Sequence, residues 1–327
     1  MLPLAASLAL GLCVFAGTAQ AADWKPDRTV ELIVGTAPGA GPDITARSIQ
    51  RILQTRRIHE GPVVVVNKPG GGNVVAWSYL NQQAGNGSYL MIGNLNAIIS
   101  RAIGISPYAV TDYTWISMLF DEYYAVSVRS DSPMTTGRDL IARLQKDPAS
   151  ITIGVSTSIG GGNHLSAALA FQRAGIDLKR VKFVAFKGSA ESITALLGGH
   201  IDAASTAVSA AVPHVRNGQL RTVAVSSTRR LGEPLANVPT WSEQGAAAVV
   251  SNFRAVIAPK GTSADAVAFW EARFAQLAET PEWKQDLERN LWSANFLDAP
   301  KTSAAVAAYA RDVDGLVSTL GLRKQTP

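Results

Sequence analysis

One short stretch of the chain, residues 35–43, combines three glycines, two prolines and an aspartate in the order Gly-Thr-Ala-Pro-Gly-Ala-Gly-Pro-Asp. The apolar run 30–34 before it predicts a buried strand, and residues 44–57 after it have the apolar spacing of a helix. A glycine-rich turn between a strand and a helix brings backbone N–H groups and the positive end of the helix dipole to the end of the strand. This turn therefore predicts an anion-binding site, and a phosphate and a carboxylate both satisfy its chemistry.

The spacing of the glycines argues against the common nucleotide-binding motifs. In a dinucleotide fingerprint that starts at Gly39 and Gly41, the third glycine would fall at Ile44. The second predicted strand is followed by Asn67 and Lys68, where such an enzyme needs an acidic residue for the ribose. The sequence also lacks the glycine-rich Gly-Lys-Ser/Thr motif of a P-loop. We therefore expect neither a nicotinamide enzyme nor a P-loop enzyme.

A second turn rich in glycine and serine, residues 156–162, follows a predicted strand. Residues 154–158, Gly-Val-Ser-Thr-Ser, are close to a nucleophile elbow, but they lack its closing glycine. No Asp and His partners can be assigned to this turn from their spacing. The hydroxyls of Ser156 and Ser158 either satisfy the local backbone or donate to a ligand, and both interpretations stay open.

The four histidines lack the H-x3-H and H-E-x2-H spacings of metal sites, so we expect no metal. His164 opens a predicted helix after the second turn, where a structural role and a ligand contact both stay open. We expect His59 and His214 on the surface. Lys187 lies in another strand-to-helix turn, which favours a role in a site, whereas Asp43 is placed to cap its own helix.

The first 21 residues have the composition of a secretory signal peptide. Residues 2–17 are apolar or small and 19–21 read Ala-Gln-Ala, so we expect cleavage after Ala21 and a periplasmic protein. Because no Lys or Arg precedes the apolar stretch, we hypothesise that the true start codon lies upstream. Cys13 is the only cysteine, so the mature chain has neither disulfides nor thiolate chemistry.

The composition is that of a globular protein with enough apolar residues for two cores. The chain has 327 residues, of which 47% are hydrophobic. Its 30 Lys and Arg against 25 Asp and Glu leave a formal net charge of +5, which suits a mild attraction for acidic solutes. There is no dense Lys/Arg run and no alternation of aromatic and basic residues, so we expect no nucleic-acid partner.

Strand, turn and helix alternate along the first hundred residues, which predicts a parallel sheet with helices on its faces. Four valines at 63–66 predict a strand that is buried on both faces. Two long apolar runs, 115–128 and 251–258, predict strands that cross from one α/β lobe to the other. The expected boundaries are residues 22–122 plus 253–327 for lobe 1 and residues 123–252 for lobe 2. Further strands are expected at 89–92, 151–155, 181–186, 201–204 and 222–226, and helices at 74–83, 97–103, 136–146, 163–174, 189–197, 210–217, 263–278, 281–290 and 303–318.

Several segments, taken together, resemble the Bug family, the periplasmic solute receptors of tripartite tricarboxylate transporters. The segments are Pro-Gly-Ala-Gly-Pro-Asp at 38–43, Asn-Lys-Pro-Gly-Gly-Gly-Asn at 67–73, Lys-Gly-Ser-Ala at 187–190 with Leu-Gly-Gly-His-Ile-Asp at 197–202, and Gly-Gln-Leu-Arg-Thr-Val-Ala-Val at 218–225. Residues 238–245 and 258–261 fit the same pattern. The match runs in order over essentially the whole mature chain.

The resemblance implies a two-lobed periplasmic-binding-protein fold (a Venus flytrap), in which each lobe is a mainly parallel sheet flanked by helices. It implies a non-enzymatic receptor that captures a small organic mono- or dicarboxylate and delivers it to a membrane transporter of the tripartite tricarboxylate type. We expect a monomer without cofactor or metal. Two alternatives stay open, since the same receptor would also suit a membrane sensor and Ser156 or Ser158 would also suit a serine hydrolase.

The resemblance also implies where the ligand binds. Backbone and hydroxyl donors of residues 37–43 hold the carboxylate, and the turns at 156–164 and 187–188 contact its other end. The candidate ligand-binding residues are Ala37, Gly39, Ala40, Gly41, Asp43, Asn94, Ser156, Ser158, Gly161, Asn163, His164, Lys187, Gly188, Thr206 and Arg254.

The chain departs from the family pattern at Ala40, Pro42 and Phe186. Arg254 stands in the second crossing strand, where the family usually has an uncharged residue. We expect Arg254 to point into the cleft and to pair with a second carboxylate of the ligand.

Overall fold

The computed structural model describes residues 24–156 and 158–323. Within these ranges the strands are β1 (Val30–Val34), β2 (Val63–Asn67), β3 (Tyr89–Asn94), β4 (Tyr113–Arg129), β5 (Thr152–Ser156), β6 (Lys182–Phe186), β7 (Ala203–Ala207), β8 (Leu220–Val225), β9 (Ser251–Pro259) and β10 (Ser293–Leu297). The helices are α1 (Gly41–Thr55), α2 (Val74–Asn81), α3 (Leu95–Ala102), α4 (Gly137–Lys146), α5 (Gly162–Arg173), α6 (Ser189–Leu197), α7 (Val208–Arg216), α8 (Ala264–Ala278), α9 (Pro281–Asn290) and α10 (Ala299–Thr319). The predicted signal segment 1–21 lies outside the described residues. Among the helices described, none combines the length and the apolar character that crossing a membrane requires.

The strands form a mixed sheet in the order β2-β1-β3-β9-β4-β7-β5-β6, and β8 and β10 also pair with β4. Two parallel groups lie at its ends, β2-β1-β3 and β6-β5-β7. Every antiparallel pair described involves β4 or β9. The predicted architecture of two parallel sheets flanked by helices is therefore confirmed, with antiparallel crossing strands between the two groups.

The 17-residue strand β4 belongs to both halves of the sheet. Its first part pairs with β9 and β10, and its second part pairs with β7 and β8. Asp121 and Glu122 lie at the middle of this strand and are buried. The expected lobe boundaries stay a prediction, which the divided pairing of β4 supports.

Three large apolar cores cover the two halves of the sheet. The first core contains Trp270 and Trp283, the second contains Trp77, and the third contains Trp241. Helix α5 joins two of them, because its Phe171 packs in the third core while its Leu165 packs in the second. The same helix therefore contributes to the cores of both halves.

Strand β2 differs from expectation because it lies at the edge of the sheet. Val64 is 39% exposed, so this strand is not buried on both faces as predicted. A run of four valines satisfies the β propensity of any strand and carries no alternation that would separate an edge from a central position. The place of β2 is decided by its single pairing with β1.

Two further features were not predicted from the sequence. Strand β10 was missed because it is short and half-exposed, so that it has little apolar periodicity. The prediction that His59 lies on the surface was wrong, since it is 9% exposed and packs against Phe269 and Trp270. The pKa of His59 is lowered, mainly by burial and to a smaller extent by the nearby positive charge of Arg273.

Candidate functional site

Helix α1 begins directly after the first glycine turn. Ala40 is its N-cap residue, and no side chain in the described part of the chain caps the first turn. Gly39 has a φ of +82°, a conformation that glycine adopts without steric strain. The first N–H groups of a helix have no partner within the helix, so an uncapped start offers them to an anion.

Asp43 holds the shape of this turn through both of its carboxylate oxygens. Oδ2 accepts hydrogen bonds from the Gly39 N–H at 2.8 Å and from Nε of Arg47 at 2.9 Å. Oδ1 accepts from Nδ2 of Asn67 at 2.9 Å. Burial alone raises the pKa of Asp43, but the hydrogen bonds from Arg47, Gly39 and Asn67 outweigh it and lower the pKa. The side chain is thus ionised at neutral pH and fully engaged by protein donors.

The glycine turn at residues 67–73 supports the first turn. Asn67 also donates from Nδ2 to the Thr36 carbonyl at 3.0 Å. Asn73 occupies the space beside Gly35, where a Cβ would lie 2.7 Å from the Asn73 Oδ1. Asn94, at the end of the neighbouring strand β3, caps α3 by accepting from the Asn96 N–H at 3.0 Å. The turn at 67–73 therefore supports the first turn through Asn67 and Asn73, and Asn94 caps α3.

Helix α5 has an uncapped start as well. Its N-cap residue is Gly161, and no described side chain caps its first turn. Gly160, with a φ of +87°, donates its N–H to Nδ1 of His164 at 3.2 Å. Burial lowers the pKa of His164 to about 4, so the imidazole is neutral at pH 7. His164 therefore shapes the turn and brings no positive charge to it.

The side chains of Ser156 and Asn163 form hydrogen bonds that stabilise the turn at 156–164. The Ser156 hydroxyl is hydrogen-bonded to the Ser189 hydroxyl at 3.1 Å, and Nδ2 of Asn163 donates to the Ser156 carbonyl at 3.4 Å. The carbonyl of Ser158 accepts from the Gly161 N–H at 3.1 Å. Ser189 engages the Ser156 hydroxyl and Gly160 engages Nδ1 of His164, and no hydrogen bond joins the Ser156 and His164 side chains in the described structure.

Several buried polar atoms in and near these elements have no hydrogen-bond partner among the described residues, among them Oδ1 of Asn163 and Oγ1 of Thr206. Thr206 is 0% exposed and Asn163 is 8% exposed. Buried polar groups are normally paired, so each of these atoms has the capacity for one further donor or acceptor.

Lys187 and Gly188 precede α6. The Lys187 side chain is exposed, and its backbone N–H donates to Glu191 at 2.7 Å. Gly188 is the N-cap residue of α6, and a Cβ there would meet open space. No hydrogen bond joins these two residues to the turn at 37–43 in the described structure.

Glu122 and Arg254 form a buried ion pair between the crossing strands β4 and β9. Nη2 of Arg254 donates to Oε2 of Glu122 at 2.5 Å, and the two side chains are 4% and 0% exposed. Oε1 of Glu122 accepts from Nε1 of Trp292 at 3.3 Å and from the Ser209 hydroxyl. Arg254 was expected to pair with a ligand carboxylate, but the structure gives it a carboxylate of the protein. Sequence reasoning missed Glu122, although a charged residue within a long apolar run was a signal.

Each uncapped helix start lies beside one member of a buried polar cluster, in which Tyr124 lies near the ion pair of Glu122 and Arg254. A Cβ on Gly41 of α1 would lie 3.2 Å from Nη2 of Arg254. A Cβ on Gly162 of α5 would overlap the hydroxyl of Tyr124. The pKa of Tyr124 is raised, mainly by burial. The nearby Arg254 acts in the opposite direction, and the nearby Glu122 adds to the increase. The structure thus brings the turns at 37–43 and 156–164 to one buried polar cluster.

A large cavity of the described structure lies elsewhere. It measures about 820 Å³ and is lined by α5, α10 and residues 249–251, including Leu169, Val250 and Leu316. None of the candidate ligand-binding residues lines it. In residues 24–156 and 158–323, no group of three His, Asp or Glu side chains is arranged to hold a metal ion.

The two-lobed α/β fold, with crossing strands at its centre, is that of the periplasmic solute-binding proteins. Residues 45–321 match the family described as "Tripartite tricarboxylate transporter family receptor", and the chain belongs to this family. The family and the fold are those of substrate-binding proteins.

Known relatives agree with this assignment. BugT of Bordetella pertussis is 31% identical over 248 residues, which are 74% of this chain and 73% of BugT. A Rhodopseudomonas palustris protein solved with adipate has a TM-score of 0.82 at 24% identity and covers 90% of this chain and 98% of its own. MatC of the same organism, solved with bound malate, has a TM-score of 0.74 at 22% identity with the same coverage. At these identities the structural likeness concerns the fold.

Proposed function

We propose that this protein is a periplasmic receptor that captures a small organic carboxylate between two lobes and delivers it to a membrane transporter of the tripartite tricarboxylate type. The observation that carries the proposal is the position of two uncapped helix starts, at Gly41 and Gly162, beside one buried cluster. The lobes are residues 22–122 plus 253–327 and residues 123–252. Adipate and malate in two structural neighbours support a carboxylate as the ligand.

The energetics favour a ligand that contacts both turns. One helix start stabilises a bound anion by at most about 2 kcal/mol, and each charge-assisted hydrogen bond adds about 1.5–3 kcal/mol. Association costs on the order of 4–15 kcal/mol, and a micromolar dissociation constant needs about 8 kcal/mol in excess of that cost. With two or three such bonds, one turn supplies at most about 11 kcal/mol before that cost and falls short of this value. Two turns that close on opposite ends of the ligand supply up to about 22 kcal/mol and can reach it.

The unpartnered atoms support the same site. Oγ1 of Thr206 and Oδ1 of Asn163 are buried without a partner in the described structure, on or beside elements of the second lobe. A ligand hydroxyl or carboxylate would pair with the Thr206 hydroxyl, and a ligand hydroxyl would pair with the Asn163 amide oxygen. Hinge motion about β4 and β9 would open and close the site.

Binding to the purified mature protein tests the proposal. We expect thermal shifts and calorimetric binding with one or more small carboxylates, and none with phosphate esters or nucleotides of similar size. A response to phosphate compounds alone would contradict the proposal. Delivery to a transporter is tested separately, by uptake of the labelled ligand in cells with and without the gene, where unchanged uptake would contradict the transport role.

A further inference from the structure

The guanidinium of Arg254 lies directly behind the first turn of α1 and is almost completely buried. Nη2 faces Glu122 at 2.5 Å and lies 3.2 Å from the place of a Cβ on Gly41. Nη1 donates to the carbonyls of Asn252 at 3.1 Å and Phe253 at 3.3 Å. Nε has no acceptor among the described residues, and Arg254 as a whole is 3% exposed. Arg254 is thus a buried cation at the candidate anion site, and Glu122 is its one ionic partner in the described chain.

The other charged groups of the candidate turns bring no additional buried, unpaired positive charge. Arg47 is paired with Asp43 at 2.9 Å. His164 is neutral at pH 7 because of its burial. Lys187 is exposed to water. The positive end of a helix and backbone N–H groups suit one carboxylate group, whereas a second buried carboxylate needs a compensating cation.

We propose that Glu122 sets the charge of the ligand, because it neutralises Arg254 and so restricts the cleft to a carboxylate whose remaining part is uncharged. This inference rests on the proposed carboxylate-binding function. A second carboxylate near Arg254 would lie close to Glu122 as well, and the repulsion between the two anions in a buried site offsets the attraction of the guanidinium. Glu122 is therefore a specificity-determining residue that acts through Arg254.

The test compares monocarboxylates and dicarboxylates of equal carbon number. The pairs are butyrate and succinate, valerate and glutarate, and hexanoate and adipate, with benzoate and terephthalate as an aromatic pair. Calorimetry on the wild-type protein should show tighter binding of the monocarboxylate in each pair that binds. In Glu122→Gln the ratio of dicarboxylate to monocarboxylate affinity should rise about tenfold or more, because Arg254 gains a free charge-assisted bond.

Two further variants separate this effect from a loss of stability. Asp286→Asn removes another buried, arginine-paired carboxylate, which is 3% exposed. It pairs with Arg51 and Arg289 and accepts from Ser48, so that it meets α1 about two to three helical turns beyond Gly41. The variant should destabilise the fold without changing the affinity ratio. The double variant Glu122→Gln with Arg254→Gln should return the ratio toward the wild-type value, since both charges are absent.

The wild-type measurement keeps the inference testable even where Glu122→Gln does not fold. Tighter binding of the dicarboxylate in every pair that binds would overturn the inference and leave the proposed function intact. An unchanged ratio in a folded Glu122→Gln protein would also overturn it. If neither member of any pair binds, the carboxylate-binding function itself fails at the same time.

Discussion

The hydroxyl of Tyr124 fills the space in which a side chain on Gly162 would begin. Tyr124 belongs to the central strand β4, and Gly162 is the first residue of α5. This contact holds the start of α5 against the strand that also carries Glu122. The geometry of the second turn therefore depends on the absence of a side chain at one position.

Gly162→Ala should destabilise the protein by about 1–3 kcal/mol, because the added methyl group forces Tyr124 or α5 to move. Carboxylate binding should weaken with it, and the combination with Tyr124→Phe should recover part of both losses. Urea unfolding and calorimetry measure the two effects. Gly315→Ala is the matched control: a Cβ there meets open space within α10, so the variant should be neutral or more stable. Equal effects at both glycines would contradict the contact.

Asp43→Asn should reduce stability at pH 7 by about 1–3 kcal/mol, because the three donors around Asp43 lose an ionised acceptor. The folded pKa of Asp43 is lowered, so its contribution is present above the ordinary carboxyl pKa and is lost as the pH falls through the folded pKa. The difference between wild type and variant should therefore shrink below about pH 4. Urea midpoints between pH 7 and pH 3 measure this difference.

The control for Asp43 is Asp131→Asn, since Asp131 is an exposed acid whose partner is the neighbouring Arg129. Its effect should be small at every pH, as expected for a surface pair. An Asp43→Asn variant as stable as wild type at pH 7 would show that the turn does not depend on this carboxylate.

His164 should make the folded protein sensitive to mild acid. Its folded pKa is about 4 against an ordinary value of 6.5, so between these values the unfolded chain binds a proton that the folded chain does not. Stability should fall by about 3 kcal/mol from this group as the pH drops from 7 to 4. His164→Asn, which keeps an acceptor for the Gly160 N–H, should remove this part of the pH dependence in urea unfolding.

His214→Asn is the matched control, because His214 is only half-buried and pairs with Gln219. Because His214 lies outside the buried turn, His214→Asn should not reproduce the change in stability that His164→Asn causes. In His164→Asn the free energy of unfolding should still fall with decreasing pH, but less steeply, since the pKa of the buried His59 is lowered as well. If the free energy of unfolding of His164→Asn depended on pH as steeply as that of the wild type, a buried neutral imidazole at this position would be contradicted.

Thr206→Val separates a ligand-binding role from a structural one. The Thr206 hydroxyl has no partner among the described residues, so an isosteric apolar side chain should leave the ligand-free protein as stable or up to about 1–2 kcal/mol more stable. The thermal shift caused by a bound carboxylate should decrease. Its neighbour Ser205 donates to the Asn163 carbonyl at 2.8 Å, so Ser205→Ala should instead destabilise the ligand-free protein. A full thermal shift in Thr206→Val would remove Thr206 from the site.

Much of the fold was predictable from the sequence because its signals are local. Glycine turns between apolar runs and helical periodicity predicted α6 and the crossing strand β9 to within one residue at each end. Strand β10 carried too little apolar periodicity to be found. The edge position of β2 has no local signal, since it follows from the order of strands in the completed sheet.

By itself, the sequence determined the α/β class and the positions of the glycine turns that start α1 and α5. These features depend on residues within about one helical turn or one strand of each other. The tertiary structure alone decided the partners of the buried charges. Glu122 and Arg254 are 132 positions apart and meet only because β4 and β9 pair in one register. Two side chains that pair across such a separation leave no periodic pattern in the sequence. For this reason the sequence predicted a ligand carboxylate as the partner of Arg254, whereas the protein itself supplies the carboxylate of Glu122.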